Sequence, residues 1–168
     1  MDLVTIITPI YNGEKYLMRY FEQVNAIGYK NLQIIVVNDG SKDKTINIIK
    51  QLRAEDKRIC YVDFSRNFGK EIAMIAGLDY ATGDCVIFMD ADLQDPPELI
   101  PELVKYWEEG YDDVYAKRKS RKGETWLKKF TSKMYYKVLQ HLTRVEIQKD
   151  TGDFRLLDRR CVNALRKL

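Results

Sequence analysis

Residues 85–99 read CVIFMDADLQDPPEL. The first five are apolar with no polar alternation, the pattern of a short strand covered on both faces. That strand runs straight into Asp90, Asp92, Gln94 and Asp95, then a double proline, with no base among them. Four oxygen-bearing side chains at one strand end form either a solvated turn or the seat of a positive charge.

Working outward, the same apolar character recurs in LVTIITPIY (3–11), LQIIVV (32–37), RICYVDF (58–64) and DVYA (113–116), at intervals of about 25–30 residues. Helical spacing fills the gaps. Leu17, Tyr20, Phe21 and Val24 stand at i, i+3, i+4 and i+7. Ile46, Ile49 and Leu52 follow the capping signals Ser41 and Asp43. Ile72, Ile75, Ala76 and Asp79 form a third stripe, and Leu99, Leu103, Tyr106 and Trp107 a fourth, between Pro96–Pro97 and Gly110. Continuous rather than alternating strands separated by helices predict an α/β fold, a mostly parallel sheet flanked by helices.

The chain of 168 residues is long enough for one real core, with about 70% of the unfolded surface buried at this size. Cys60, Cys85 and Cys161 sit in apolar patterns without a CxxC pair and are expected to be buried, reduced thiols, neither a disulfide frame nor a zinc site. No signal peptide opens the chain, and no apolar run approaches the roughly 20 residues of a membrane span. The net charge of +3 is uneven: residues 117–137, KRKSRKGETWLKKFTSKMYYK, carry +8, leaving −5 on the rest. A basic arm on an acidic body predicts an anionic partner.

Parallel sheets bind ligands at the carboxyl ends of their strands. There the sequence places Pro9, Tyr11, Asn12 and Glu14 after the first strand, Asp39 in NDGS after the second, SRNFGKE after the third and the Asp90 cluster after the fourth. Asp39 suits either a ribose contact or a turn. TPIYNGE is no GxGxxG and no GxxxxGK[ST] occurs, which argues against a dinucleotide fold and a P-loop ATPase. Asp90, Asp92 and Gln94 offer a hard divalent cation two carboxylates and a neutral oxygen, leaving positions for water and substrate phosphates.

The segments ITPIYNGE, VVNDGSKDKT, FSRNFGKE, MDADLQDPPELIPEL, KRKSRKGE and DTGDFRLLDR together resemble the family-2 glycosyltransferases of the GT-A fold, a Rossmann-like nucleotide-diphospho-sugar architecture. The likeness is greatest to enzymes acting on polyprenyl phosphates: dolichyl-phosphate mannose synthases and bacterial undecaprenyl-phosphate (bactoprenol) glycosyltransferases. SRNFGKE and DTGDFRL favour the bacterial branch. One departure is visible. The family's P-x-Y-N-E has Gly13 in its last place here, with Glu14 following.

The resemblance implies a single catalytic domain over residues 1–168, its nucleotide-sugar half about 1–95 and its acceptor half about 96–168, with further helices or a membrane anchor beyond residue 168. It implies an inverting transfer from a nucleotide sugar, leaning to UDP, onto a polyprenyl phosphate. Pro9, Tyr11, Asn12, Glu14 and Asp39 would line the donor pocket, with Arg66, Lys70 and Asp90 touching the donor. Asp90, Asp92 and Gln94 would hold Mg²⁺ or Mn²⁺, Asp92 counting as catalytic through the cation. Arg118, Arg121, Lys128 and Arg155 would hold the acceptor phosphate, and Asp153 would serve as base or orienting group, its other reading being a turn residue at a strand edge. A phosphate acceptor is already anionic and needs positioning more than deprotonation. His141 reads as a surface or interface residue.

Leu127, Phe130, Met134 and Val138 form an apolar stripe beside Lys128, Lys129, Lys133 and Lys137, with Trp126, Tyr135 and Tyr136 as amphipathic rings. Such a helix suits an anionic membrane surface, at roughly 1 kcal/mol per engaged basic residue; a core helix with a solvated basic face is the plainer reading. The expected location is the cytoplasmic face of the cell membrane. No nucleic-acid motif accompanies the basic arm, and self-association into a homo-oligomer is left open. Three rivals remain: a glycosyltransferase acting on a sugar hydroxyl in envelope or capsular polysaccharide, which would depend on Asp153 as base; a haloacid-dehalogenase-type phosphatase, in which Thr or Val would stand where Gln94 stands; and a non-catalytic nucleotide-sugar-binding module.

Overall fold

In the computed structural model, residues 2–92, 94–117 and 151–167 are described. The chain divides into two compact units, residues 1–115 with 153–168, and residues 116–152. The second lies almost wholly outside the described residues.

Strand and helix alternate along the described residues: β1 (Val4–Ile10), α1 (Leu17–Ala26), β2 (Leu32–Asn38), α2 (Thr45–Glu55), β3 (Ile59–Asp63), α3 (Lys70–Tyr80), β4 (Cys85–Phe88), a 3-10 turn (Pro97–Leu99) leading into α4 (Ile100–Glu108), β5 (Asp113–Lys117), β6 (Thr151–Asp158) and α5 (Arg159–Leu165). The strands form one six-stranded sheet in the order β3-β2-β1-β4-β6-β5. β1 pairs in parallel with β2 and β4, and β2 with β3, while β6 runs antiparallel to β4. From β1 the chain moves outward to β3, then returns to place β4 on the other side of β1. That reversal opens a crevice at the carboxyl ends of β1 and β4, where open α/β sheets bind ligands.

Both sheet faces are covered, as the continuous apolar strands require. On one face Ile7, Ile35, Val37, Val86, Phe88 and Leu157 pack with Ala73 and Leu78 of α3 and Val162 of α5. The opposite parity, Ile6, Ile34, Val36, Ile87 and Leu156, is equally buried. β3 differs. As an edge strand it alternates, and Tyr61 faces outward.

α1 buries Leu17, Tyr20, Phe21 and Val24, the stripe its spacing predicts. α3 does the reverse of its predicted stripe: Ile72 and Ile75 are exposed, while Ala73, Gly77 and Leu78 face the sheet. The cause is close approach. A Cβ on Gly77 would lie 2.4 Å from Ile7 Cγ2, so only small residues fit where α3 crosses β1. β6 and α5 complete the described elements. Thr151–Asp158 is an internal strand, and Val162 of α5 belongs to the core while Leu165 is exposed. The thiols differ too: Cys85 is buried, and burial pushes it up to about 12, but Cys60 and Cys161 are only partly covered. All three are free.

Candidate active site at the carboxyl ends of the strands

The loops after β1 and β2 are locked together by side chains. Asn12 adopts a positive φ of 51°, a conformation Asn tolerates better than most residues. Its amide donates to Ser41 Oγ (2.9 Å), and its Oδ1 accepts from the Lys42 amide (2.9 Å). The Gly13 amide donates to Thr45 Oγ1 (2.8 Å), the Glu14 amide to Asp43 Oδ2 (3.2 Å), and Glu14 Oε2 accepts from the Lys44 amide (2.9 Å). Asn12 and Glu14, both expected to face the donor, thus tie the two loops together, while Tyr11 is left exposed. Pro9 sits in β1, in register with Val37. Ser41, Asp43 and Thr45 complete the lock. Of the two capping signals, Asp43 accepts from the Thr45 amide (3.0 Å), whereas Ser41 is turned to Asn12.

Asp39 is only 4% exposed. Its Oδ1 accepts from the Phe68 amide (2.7 Å) and its Oδ2 from the Gly69 amide (3.0 Å). The acid at the end of β2 therefore grips the loop that launches α3. Gly40 beside it has φ +66°, and a Cβ there would lie 2.2 Å from the Arg66 carbonyl carbon, so the two loops touch backbone to backbone. Arg66 stacks its guanidinium 4.7 Å from the Phe68 ring centre and remains exposed.

The grip on that loop delivers Lys70, the first residue of α3, into the crevice. The β4–β6 ladder pairs Cys85 with Asp158 and Phe88 with Arg155. Continued by two residues, it sets Asp90 opposite Asp153. Like charges directly opposed across a strand pair are destabilising, and Lys70 lies between them. Its Nζ is 2.6 Å from Asp90 Oδ2 and 2.7 Å from Asp153 Oδ2. Burial lowers the Lys70 ammonium, but hydrogen bonds to Asp153 and Asp90 and their charges outweigh it, and the net shift is upward. Asp90 is also shifted upward, because burial together with the charges of Asp95 and Asp92 exceeds the relief from Lys70. One ammonium does not fully compensate this corner.

Asp92 and Gln94 are exposed just beyond Asp90, with the Gln94 amide donating to Asp92 Oδ1 (3.0 Å) in a tight turn. Behind them the buried Asp95 accepts from the Asp90 amide at 3.3 Å. Two carboxylates and a carboxamide at one strand end are hard oxygen donors that fit Mg²⁺ or Mn²⁺, and the under-compensated Asp90 gains from more positive charge. Among the described residues no three His, Cys, Asp or Glu side chains gather into a metal cage, so a cation here would take its remaining ligands from water and substrate.

Arg155 stands two residues after Asp153 on the same face of β6, paired with Asp113 Oδ2 at 3.3 Å and 6.0 Å from the Tyr115 ring centre. The structure thus brings Lys70, Asp90 and Asp153 together. Arg118, Arg121 and Lys128, with His141 and the whole basic amphipathic stretch, lie outside the described residues. No described helix is long and apolar enough to cross a membrane.

Comparison with known proteins gives a consistent picture. The profile of glycosyl transferase family 2 matches residues 5–166. An uncharacterized glycosyltransferase of Synechocystis sp. is 52% identical over 168 residues, covering 98% of this chain and 53% of that protein. The bactoprenol glucosyl transferase of Shigella phage SfX is 39% identical over 171 residues, 98% of this chain and 55% of that protein. The chain spans about half the length of the curated relatives it matches. Among solved structures, the Pyrobaculum calidifontis mannosyltransferase in complex with GDP-Man and Mn²⁺ superposes with a TM-score of 0.69 at 21% identity, over 98% of this chain and 46% of that one. TarS of S. aureus with UDP-GlcNAc gives 0.63 at 24%, over 73% and 36%. These two likenesses show the GT-A fold.

Proposed function

The chain belongs to glycosyl transferase family 2, and we propose that it is a glycosyltransferase that moves a sugar with inversion from a nucleotide-sugar donor, UDP-linked, to a polyprenyl phosphate. The observation that carries this reading is the Asp90–Lys70–Asp153 arrangement at the topological switch point. It provides an anionic seat for a cation and, across from it, a carboxylate 61% exposed towards the crevice. The bactoprenol glucosyl transferases among the relatives support the lipid acceptor.

In this reading the interlocked loops, through Pro9, Tyr11, Asn12 and Glu14, shape the nucleotide pocket. Asp39 retains lone pairs for a ribose hydroxyl while fixing the 66–70 loop. Asp90, Asp92 and Gln94 would hold Mg²⁺ or Mn²⁺, which when bound stabilises the charge growing on the departing diphosphate. Asp153 orients the incoming oxygen or takes its proton. Arg118, Arg121, Lys128 and Arg155 supply the acceptor-phosphate contacts, and the basic arm keeps the reaction at the cytoplasmic face of an anionic membrane.

A panel of UDP- and GDP-sugars offered with undecaprenyl phosphate, and separately with free sugars, tests the assignment. Transfer to the lipid phosphate should require a divalent cation and stop with EDTA. Arg118→Ala should lose about 10–150-fold in acceptor-limited kcat/KM, the equivalent of roughly 1.5–3 kcal/mol for one charged hydrogen bond. Turnover of free sugars but not of the lipid phosphate, crippled by Asp153→Asn and indifferent to Arg118→Ala, would establish the hydroxyl-acceptor alternative instead.

A further inference from the structure

The question raised by the acidic strand end has an answer within the chain itself. The positive charge among these acids is Lys70, in contact with one oxygen from each side of the β4–β6 pair. We propose that the Lys70 ammonium is a built-in occupant of the cation position on Asp90, which ties Asp90 to Asp153 while no donor is bound and which a divalent cation must displace. The proposal rests on the metal assignment above and adds an order to it.

Three features carry the inference. First, Lys70 Nζ lies 2.6 Å from Asp90 Oδ2, and a Mg²⁺ ion on that carboxylate needs oxygen contacts of about 2.0–2.1 Å. Two cations on one carboxylate oxygen would stand about 4 Å apart and repel each other, so they compete for Asp90. Second, the lysine can leave. Its side chain is 35% exposed, and its ammonium is a point charge on a flexible four-carbon stem. Third, its backbone cannot leave, because α3 starts at Lys70 and the two preceding amides are held by Asp39. The exchange is therefore a swing of one side chain about a fixed Cα. On release the ammonium keeps Asp153 within reach and can meet donor phosphate oxygens.

The consequence is that the free protein takes up a divalent cation weakly, and takes it up well only when a nucleotide diphosphate supplies further oxygens and a new partner for Lys70. Lys70 is then a positioning residue that competes with the cation, distinct from one that merely touches the donor.

The test is Mn²⁺ binding followed by the electron paramagnetic resonance of free Mn²⁺, with and without UDP, on the wild type, Lys70→Met, Lys70→Arg and Asp90→Asn. Lys70→Met should bind Mn²⁺ without nucleotide about tenfold more tightly than the wild type, the scale of one lost charged interaction. Lys70→Arg should keep the wild-type weakness, and Asp90→Asn should lose binding in both states. Should Lys70→Met fold poorly by circular dichroism, Lys70→Gln gives the same readout with a polar neutral side chain. Equal or weaker nucleotide-free Mn²⁺ binding in the neutral variants, with UDP-dependent binding intact, overturns the inference and leaves the metal site standing. No Mn²⁺ binding by the wild type even with UDP removes the metal assignment and the inference together.

Discussion

Asp39 separates a structural role from a nucleotide role, because its geometry fixes how much stability it should carry. Its two oxygens accept from the Phe68 and Gly69 amides at 2.7 and 3.0 Å. A hydrogen bond to a charged acceptor contributes about 1.5–3 kcal/mol. Because the loop side of the pair is partly solvated, the low end applies, and Asp39→Ala should cost about 3 kcal/mol. Asp39→Asn keeps one carbonyl acceptor but turns an NH₂ towards an N–H donor, and should cost about 2 kcal/mol. With a urea m-value of about 2 kcal/mol/M for a domain of this size, the midpoints should fall by roughly 1.5 M and 1 M. Equilibrium urea unfolding by tryptophan fluorescence and far-UV circular dichroism reads the stability, and calorimetric titration with UDP reads the pocket. UDP affinity should weaken in both variants, through the misplaced 66–70 loop as well as any lost ribose contact. An unchanged midpoint in Asp39→Ala, with UDP binding abolished, would refute the grip on the loop and leave only a direct nucleotide contact.

Gly77→Ala tests the packing of α3 on the sheet. Helix propensity alone favours Ala by about 1 kcal/mol, yet the new methyl would fall 2.4 Å from the fully buried Ile7 side chain, so thermal unfolding should show a net loss of about 1–3 kcal/mol. For pH, hydrogen bonds from Arg58 are the largest influence on Asp56 and hold it below the ordinary 3.8; at Asp43 burial acts upward, but bonds from Thr45 and the Glu14 amide outweigh it. Carboxylates with lowered folded-state values add stability that is present above 3.8 and lost as the pH falls through those lower values. The urea midpoint should therefore drop below about pH 4, where the unfolded chain binds more protons, and Asp43→Asn should flatten that slope.

The strands written as unbroken apolar runs were readable because burial on both faces leaves no other composition: β1, β2 and β4 lie where their sequences place them. Two elements escaped for physical reasons. β6 interrupts its apolar residues with Asp153, Arg155 and Asp158 because its ends emerge at opposite edges of the sheet. α3 is apolar on more than one side, and spacing alone favoured the larger Ile72 and Ile75 over the small Ala73–Gly77 stripe that the close contact with β1 demands. In the site, the acids of the strand ends were visible in the sequence, but their partners were not. Asn12 with Ser41, Glu14 with Lys44 and Asp39 with Phe68 are pairs about 30 positions apart, and no local pattern announces them.

The direction of β6 explains why Asp153, and not Asp158, meets the crevice. A parallel sheet gathers the carboxyl ends of its strands at one edge, so a strand contributes there with its last residues. An antiparallel strand inserted among them contributes with its first. β6 begins beside the end of β4 and ends beside its start, which sends Asp158 to the opposite edge. There it accepts from Trp107 Nε1 at 2.9 Å and caps α5 through the Arg160 amide. Two aspartates five residues apart on one strand thus do unlike work, one holding the sheet to its helices and the other standing 2.7 Å from Lys70. The same reversal lets an acid from late in the sequence oppose Asp90, and two opposed carboxylates need a cation between them. Lys70 meets that need, its ammonium within hydrogen-bond distance of an oxygen of each.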